Sequence, residues 1–239
     1  MIRERLFIVV IFMAALLFAL SLLLGALSFS EQQRIMADLG FTAIEVASVG
    51  ISLFAGAFLI SKEIEKQTLL LVLARPISRD QFLMGKVSGI IALNTFLILA
   101  LGVVLYVLLE SAPSVVNLST ILLGIWFKSI IGLALVIFFS VVVRPILALL
   151  MSFGLLLLGE WIPDLQFFAE KSKDHFFINA MKGVTWITPN LFRFNWKSHY
   201  FLENGFQIDD VVWMIAHSVG WILVVFVAAC IIFRRKDIV

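Results

Sequence analysis

The chain has 239 residues, of which 62% are hydrophobic and 14% charged, with a net charge of +2 and a mean hydropathy of +1.09. Soluble domains carry roughly 45–50% apolar and about 25% charged residues, so this composition excludes a water-soluble globular protein and points to one embedded in a bilayer. The small net charge and the absence of a basic patch interleaved with aromatics argue against a nucleic-acid partner.

The first predicted span, near Leu6–Leu27, directly follows the sequence MIRER. It is longer than the roughly 7–15-residue core of a signal peptide and lacks a small-residue cleavage site, so it reads as a retained anchor. Further apolar runs lie near Phe41–Ile60, Val87–Leu109, Ile121–Val143, Ile146–Ile162 and Val211–Phe233. Each can cross a hydrocarbon core of about 30 Å as a helix, a form that satisfies its own backbone where water is absent. The expected fold is therefore an all-α integral membrane protein of six transmembrane helices, one domain over residues 1–239. Small residues let helices approach closely, and Ser21-x-x-x-Gly25 in the first span and Gly85-x-x-x-Gly89 at the start of the third are expected to pack within the bundle. Cys230, the single cysteine, reads as a small buried side chain and excludes an intrachain disulfide.

Basic residues resist translocation and so fix orientation. Arg3, Arg5, Lys62, Lys66, Arg75, Arg79, Lys86, Arg144, Arg234, Arg235 and Lys236 cluster at one set of span ends, while the alternate connections are poorer in them. Both termini are thus expected in the cytoplasm. Two extramembrane pieces remain: 61–86 inside, and a long segment, 164–210, outside.

In SKEIEKQTLLLVLARPISRDQFLMGK, Ser61 can cap a helix with Glu63 and Glu65 in its first turn, at the positive end of the helix dipole, and Arg75 near its negative end. Pro76 stops that helix. Ser78-Arg79-Asp80-Gln81 has capping-box spacing, so a second helix should start there and run into the third span. The first helix, about 20 Å long at 1.5 Å per residue, is charged at its start and apolar along Leu69–Ala74. Such an element either anchors the connection at the membrane face or docks a cytosolic partner.

Glu63, Glu65, Lys66, Thr68 and Leu69, followed by Arg75-Pro76-Ile77-Ser78-Arg79 and then Gly85-Lys86, resemble the cytoplasmic loop between the second and third spans of ABC-2 type transporter permeases. The ending Phe233-Arg234-Arg235-Lys236-Asp237 is similar to that family's finish, and Thr185–Leu191 to a stretch of its bacterial members. Gln67 stands where the family often has Gly, a departure compatible with a helix. The resemblance implies a permease subunit that binds no cofactor itself and moves a substrate, by default outward, using ATP and Mg held by a separate cytosolic ABC ATPase. It implies two ATPase copies, a second permease copy in a homodimer, contact with membrane lipid, room for an extracytoplasmic accessory protein and, with the compact form lacking fused domains, a bacterial plasma membrane. The loop helix would be the coupling helix: Glu63, Glu65, Lys66, Thr68, Leu69, Arg75, Pro76 and Arg79 would contact the ATPase, with Arg75 and Arg79 equally able to meet lipid phosphates. The chain agrees in lacking a G-x-x-x-x-G-K-[ST] phosphate loop.

Charges within spans cost about 2.5–3.5 kcal/mol on insertion scales when central, so Glu45 and Lys128 need an account. Either they snorkel to the outer interface, or they pair or face a substrate pathway. His217 in the last span reads as a packed, hydrogen-bonded histidine. The outer segment is rich in aromatics, which beside a membrane mark an interfacial belt or a re-entrant helix. From the resemblance it would cap the pathway, making Trp186, Pro189 and Phe192 residues of an outer gate. Asn117-Leu118-Ser119 matches a glycosylation sequon and is discounted as a chance match.

Three other classes compete. An intramembrane enzyme would need H-E-x-x-H, G-x-S-x-G or histidines at ligand spacing, and the chain has none of these. No catalytic residue and no metal ligand are expected. An ATP-independent secondary transporter would need broken helices in two related halves. An intramembrane scaffold would need no coupling loop. Association with an ATPase separates these from the favoured reading.

Overall fold

The computed structural model describes residues 32–65, 79–109, 115–172, 174–197, 200–201 and 206–235, with scattered helical positions between 12 and 23. Side chains at 32, 60–65, 79–80 and 235 lie outside that description. Among the described residues every regular element is helical: α1 Gln32–Glu65, α2 Arg79–Leu108, α3 Val115–Val142, α4 Pro145–Glu160, α5 Ile162–Lys171, α6 His175–Ile187, a 3-10 turn Phe192–Phe194 and α7 Ile208–Arg235. Four of them, α1, α2, α3 and α7, are long and apolar enough to cross a membrane. The first predicted span falls largely outside the described residues.

Two sequence expectations need correction. Ser61 lies inside α1 and does not begin a new helix, because nothing in Ser61–Glu65 breaks one; α1 runs for 34 residues, about 50 Å against a hydrocarbon core of about 30 Å. The fifth predicted run, Ile146–Ile162, is not a straight span. α4 has 16 residues, about 24 Å, and meets α5 at a 60° bend; only the bent pair together reaches spanning length. Two predicted spans also start earlier than expected: the one placed at Phe41–Ile60 begins at Gln32, and the one placed at Ile121–Val143 begins at Val115. α2 begins at Arg79, as the Ser78 capping-box spacing predicts, and runs on into the third predicted span.

α3 is the axis of the bundle, packed by α1, α2, α4 and α7. Val143 and Arg144 reverse the chain between α3 and α4, and Pro145 starts α4 at a position where its missing N–H is harmless. Lipid tails are as apolar as leucine, so this packing rests on close fit rather than on escape from water. Leu53, Ala57, Ile131, Leu133, Val136, Ile137 and Ala229 fill the larger core cluster. A second cluster joins Met36, Phe41 and Ile44 of α1 to Ile98 and Leu105 of α2, Ile121, Leu122 and Ile125 of α3, and Tyr200. Gly85 and Gly89 correct a third expectation: nothing lies within 4 Å of where their β-carbons would be, so their stripe faces away from this bundle. Ser21 and Gly25 are outside the described residues.

Candidate functional site

The site is built where α4 stops. Pro163 has no N–H and its ring collides with a helical carbonyl four residues back, so the helix breaks and the carbonyl of Gly159 is released. The released carbonyl accepts the Leu191 N–H at 3.1 Å. Gly159 also makes room, since a β-carbon there would run into the Pro189 carbonyl and crowd Leu191. Residues 188–197 and 200–201, the return segment, are thereby drawn back against the bundle after the α5–α6 excursion. Leu191, Phe194 and Tyr200 are buried. Phe194 passes its carbonyl close to Gly124 of α3, Tyr200 meets Phe41 edge to face at 5.2 Å, and Asn117 donates its side-chain N–H to the Tyr200 carbonyl at 3.3 Å. Asn117 is thus engaged and buried, closed to glycosylation in this fold. The Tyr200 hydroxyl is enclosed without a hydrogen-bond partner among the described residues, and burial, with Tyr106 adding to it, pushes its phenol up to about 12.

Beneath the return segment four charges from four elements meet. Lys128 of α3 forms ion pairs with Glu45 Oε1 of α1 and with Glu160 Oε1 at the end of α4. Lys197 of the return segment takes the other oxygen, Glu45 Oε2, and donates to Thr42 Oγ1 at 3.2 Å. The Lys128 side chain is only 6% exposed, and Glu160, at 25%, is the most open of the four. Two cations and two anions sum to zero, which is what lets the group sit in a low-dielectric interior, where an unpaired charge is costly.

A neutral polar group lies next to it. Asn94 of α2 donates to Ser52 of α1 at 3.1 Å and Ser129 of α3 at 2.7 Å, and Trp126 donates to Thr95 at 2.8 Å. These bonds tie α1, α2 and α3 together; Asn94, Ser52 and Ser129 are buried, and Thr95 and Trp126 are half-buried. The Asn94 carbonyl oxygen has no partner among the described residues. His217 is packed and bonded as expected: its Nε2 accepts the Asn190 N–H at 3.2 Å, between Phe194 and Trp221. Among the described residues no three His, Cys, Asp or Glu side chains converge to hold a metal ion.

Glu45 and Lys128, singled out from the sequence, are brought together as partners rather than snorkelling apart. Glu160 and Lys197 were missed. The first carried a signal, an acid at the end of an apolar run that needs a cation; the second, one charge among many in a long connection, carried none. Trp186, Pro189 and Phe192 diverge: Pro189 is buried on Gly159, whereas Trp186, 83% exposed, and Phe192 project outward. Glu63 and Glu65 lie in the last turn of α1 and Arg79 opens α2, with side chains outside the description, and Lys66, Thr68, Leu69, Arg75 and Pro76 lie outside the described residues altogether.

The arrangement has the character of a holding site. Its charges are consumed by one another, its hydroxyls and amides bind helix to helix, and no nucleophile–base pair occurs within it. Compared with known proteins, the chain matches the family model described as ABC-2 family transporter protein over residues 1–238. No curated protein matches it.

Proposed function

This chain belongs to the ABC-2 transporter family and is a multi-pass membrane permease of an ABC transporter, and from that premise we propose that it exports its substrate by moving on the ATP cycle of a separate cytosolic ATPase. The observation that carries the reading is the family match over residues 1–238, which includes the charged connection between α1 and α2. In this reading six spans put both termini in the cytoplasm, and the bent α4–α5 pair is the fifth. The connection 61–86 seats on the ATPase through Glu63, Glu65 and Lys66, with Thr68, Leu69, Arg75, Pro76 and Arg79 completing the contact. ATP and Mg stay on that partner. An effector shifts a conformational equilibrium only by its differential affinity for the two states, so the ATPase must grip this connection differently in each.

Two copies of the chain form the pathway between them. The long apolar faces that α2 and α7 leave uncovered support this. The return segment, with Pro189 seated on Gly159 and Phe192 projecting from it, forms the outer gate together with Trp186 of α6. Glu45 and Lys128 act by holding that gate, a role favoured over direct substrate contact because each already has two charged partners or more than one ion-paired oxygen. The setting is a bacterial plasma membrane.

The test is purification of the tagged chain from its native host in mild detergent, beside a Glu63→Lys, Glu65→Lys double variant. An ABC ATPase accompanies the wild type and is lost from the folded variant. Absence of any ATPase, under conditions that keep a known complex of this kind intact, would remove the coupling reading and leave 61–86 as an interfacial anchor.

A further inference from the structure

Glu160 and Lys197 change the meaning of the buried charges. α1, α3 and α4 contribute Glu45, Lys128 and Glu160, which together carry a net −1; the return segment contributes the Lys197 ammonium that brings the sum to zero. The geometry is divided in the same way. Lys128 uses one Glu45 oxygen and Lys197 the other, so lifting the return segment takes away the cation paired with Glu45 Oε2 while Lys128 remains in place. A buried group of this kind is satisfied as a whole or not at all, because in a low-dielectric setting a half-satisfied charge network is worse than an apolar one.

The apolar contacts of the same segment, Leu191 against Gly159 and Phe194 against Gly124, would tolerate small slides; the ion pairs fix one register. α4 ends at Glu160 and its continuation bends away by 60°, so at this end of the bundle the return segment stands where another turn of helix would otherwise lie. We infer that Lys197, Glu45, Lys128 and Glu160 are a two-state lock: closed and neutral with the return segment docked, open and net negative with it lifted, Lys197 being the bolt. This deepens the proposed function, and its place in transport rests on that reading.

The lock is tested without knowing the substrate. In a Cys230→Ser background, Leu191→Cys places a thiol on the buried face of the docked segment, and its reaction with a membrane-impermeant maleimide is followed in lipid nanodiscs. Ile137→Cys, in the α3 core, serves as a control for general loosening. Labelling follows the population of the opened state. Lys197→Met, which leaves the site at −1, should accelerate labelling at Leu191→Cys by about tenfold or more while Ile137→Cys stays silent, and adding Glu45→Gln, which restores neutrality, should bring the rate back toward that of the parent. Wild-type labelling rates in Lys197→Met, or a rise at both reporter positions together, would overturn the lock. Addition of the copurified ATPase with ATP separates the two readings. Faster labelling of the parent on ATP supports a lock that opens in transport; no ATP effect, with Lys197→Met still fast, keeps the lock and removes it from a transport cycle.

Discussion

α3 and α7 each run for 28 residues and share a mean hydropathy of 2.4, yet 78% of the spanning window of α3 is buried inside the bundle and only 11% of that of α7. Two helices that are equal to the membrane are opposite to the protein. The difference lies in what small and polar residues interrupt the apolar run. α3 carries Lys128, Ser129 and Ser140 on faces that other helices cover, and Gly124 and Gly132 where neighbours press close. α7 keeps Met214, Ser218, Val225, Ala229 and Phe233 inward and shows the rest of its surface to lipid or to a second copy. In a solvent as apolar as the protein interior, total hydropathy reports only that a helix crosses; which face is covered depends on packing and on polar groups that must find partners.

The largest effect should come from the charged side chain of α3. Lys128→Met leaves Glu45 and Glu160 without their shared cation and should cost about 3–5 kcal/mol of stability, measured by denaturant unfolding in detergent. Val224→Ala, on the exposed face of α7, should change stability by less than about 0.5 kcal/mol. Equal losses at the two sites would erase the distinction between covered and uncovered helix.

A glycine pair gives an intermediate effect with opposite signs. Gly159→Val forces the Pro189 carbonyl away and strains the Leu191 bond, which should cost about 1–3 kcal/mol. Gly220→Ala in α7, with nothing within 4 Å of the new methyl, should gain up to about 1 kcal/mol from backbone propensity. A loss at Gly220 that deepens with protein concentration would instead place a second copy against α7.

The smallest effect belongs to the return segment itself. Tyr200→Phe removes a buried hydroxyl without a partner among the described residues and should be neutral or stabilising by up to about 1 kcal/mol near pH 7. Its pH dependence has a definite sign. The folded phenol titrates at about 12 and the unfolded one near 10, so the unfolded chain loses its proton first and the contribution, complete below pH 10, is lost as pH rises through 12. Stability measured over that window should fall more steeply in the parent than in Tyr200→Phe; identical slopes would mean that the ring is solvated.

The site was half legible. Glu45 and Lys128 stand out because a charge inside an apolar run has few acceptable environments, and pairing is one of them. Asn94, Ser52 and Ser129 do not stand out: serine is common in such helices and asparagine is only moderately costly, so their convergence is a matter of rotation about three helix axes. Lys197 could not have been assigned, since its partner is 152 positions away in numbering terms, on α1, and is reached only because Pro163 turned the chain.

By itself the sequence determined that the chain lives in a membrane, where the apolar centres of α2, α3 and α7 lie, and that a helix restarts at Arg79. These follow from local quantities: apolar length, basic flanks and capping chemistry. Only the tertiary structure decided that the Ile146–Ile162 run breaks short of Trp161, that Gly159 rather than Gly85 or Gly89 is a site of close approach, and that two lysines and two glutamates from four elements make one neutral group. Each of these depends on what lies opposite a residue across a helix boundary, and along a chain of nearly uniform hydropathy that information is present only in the packed bundle.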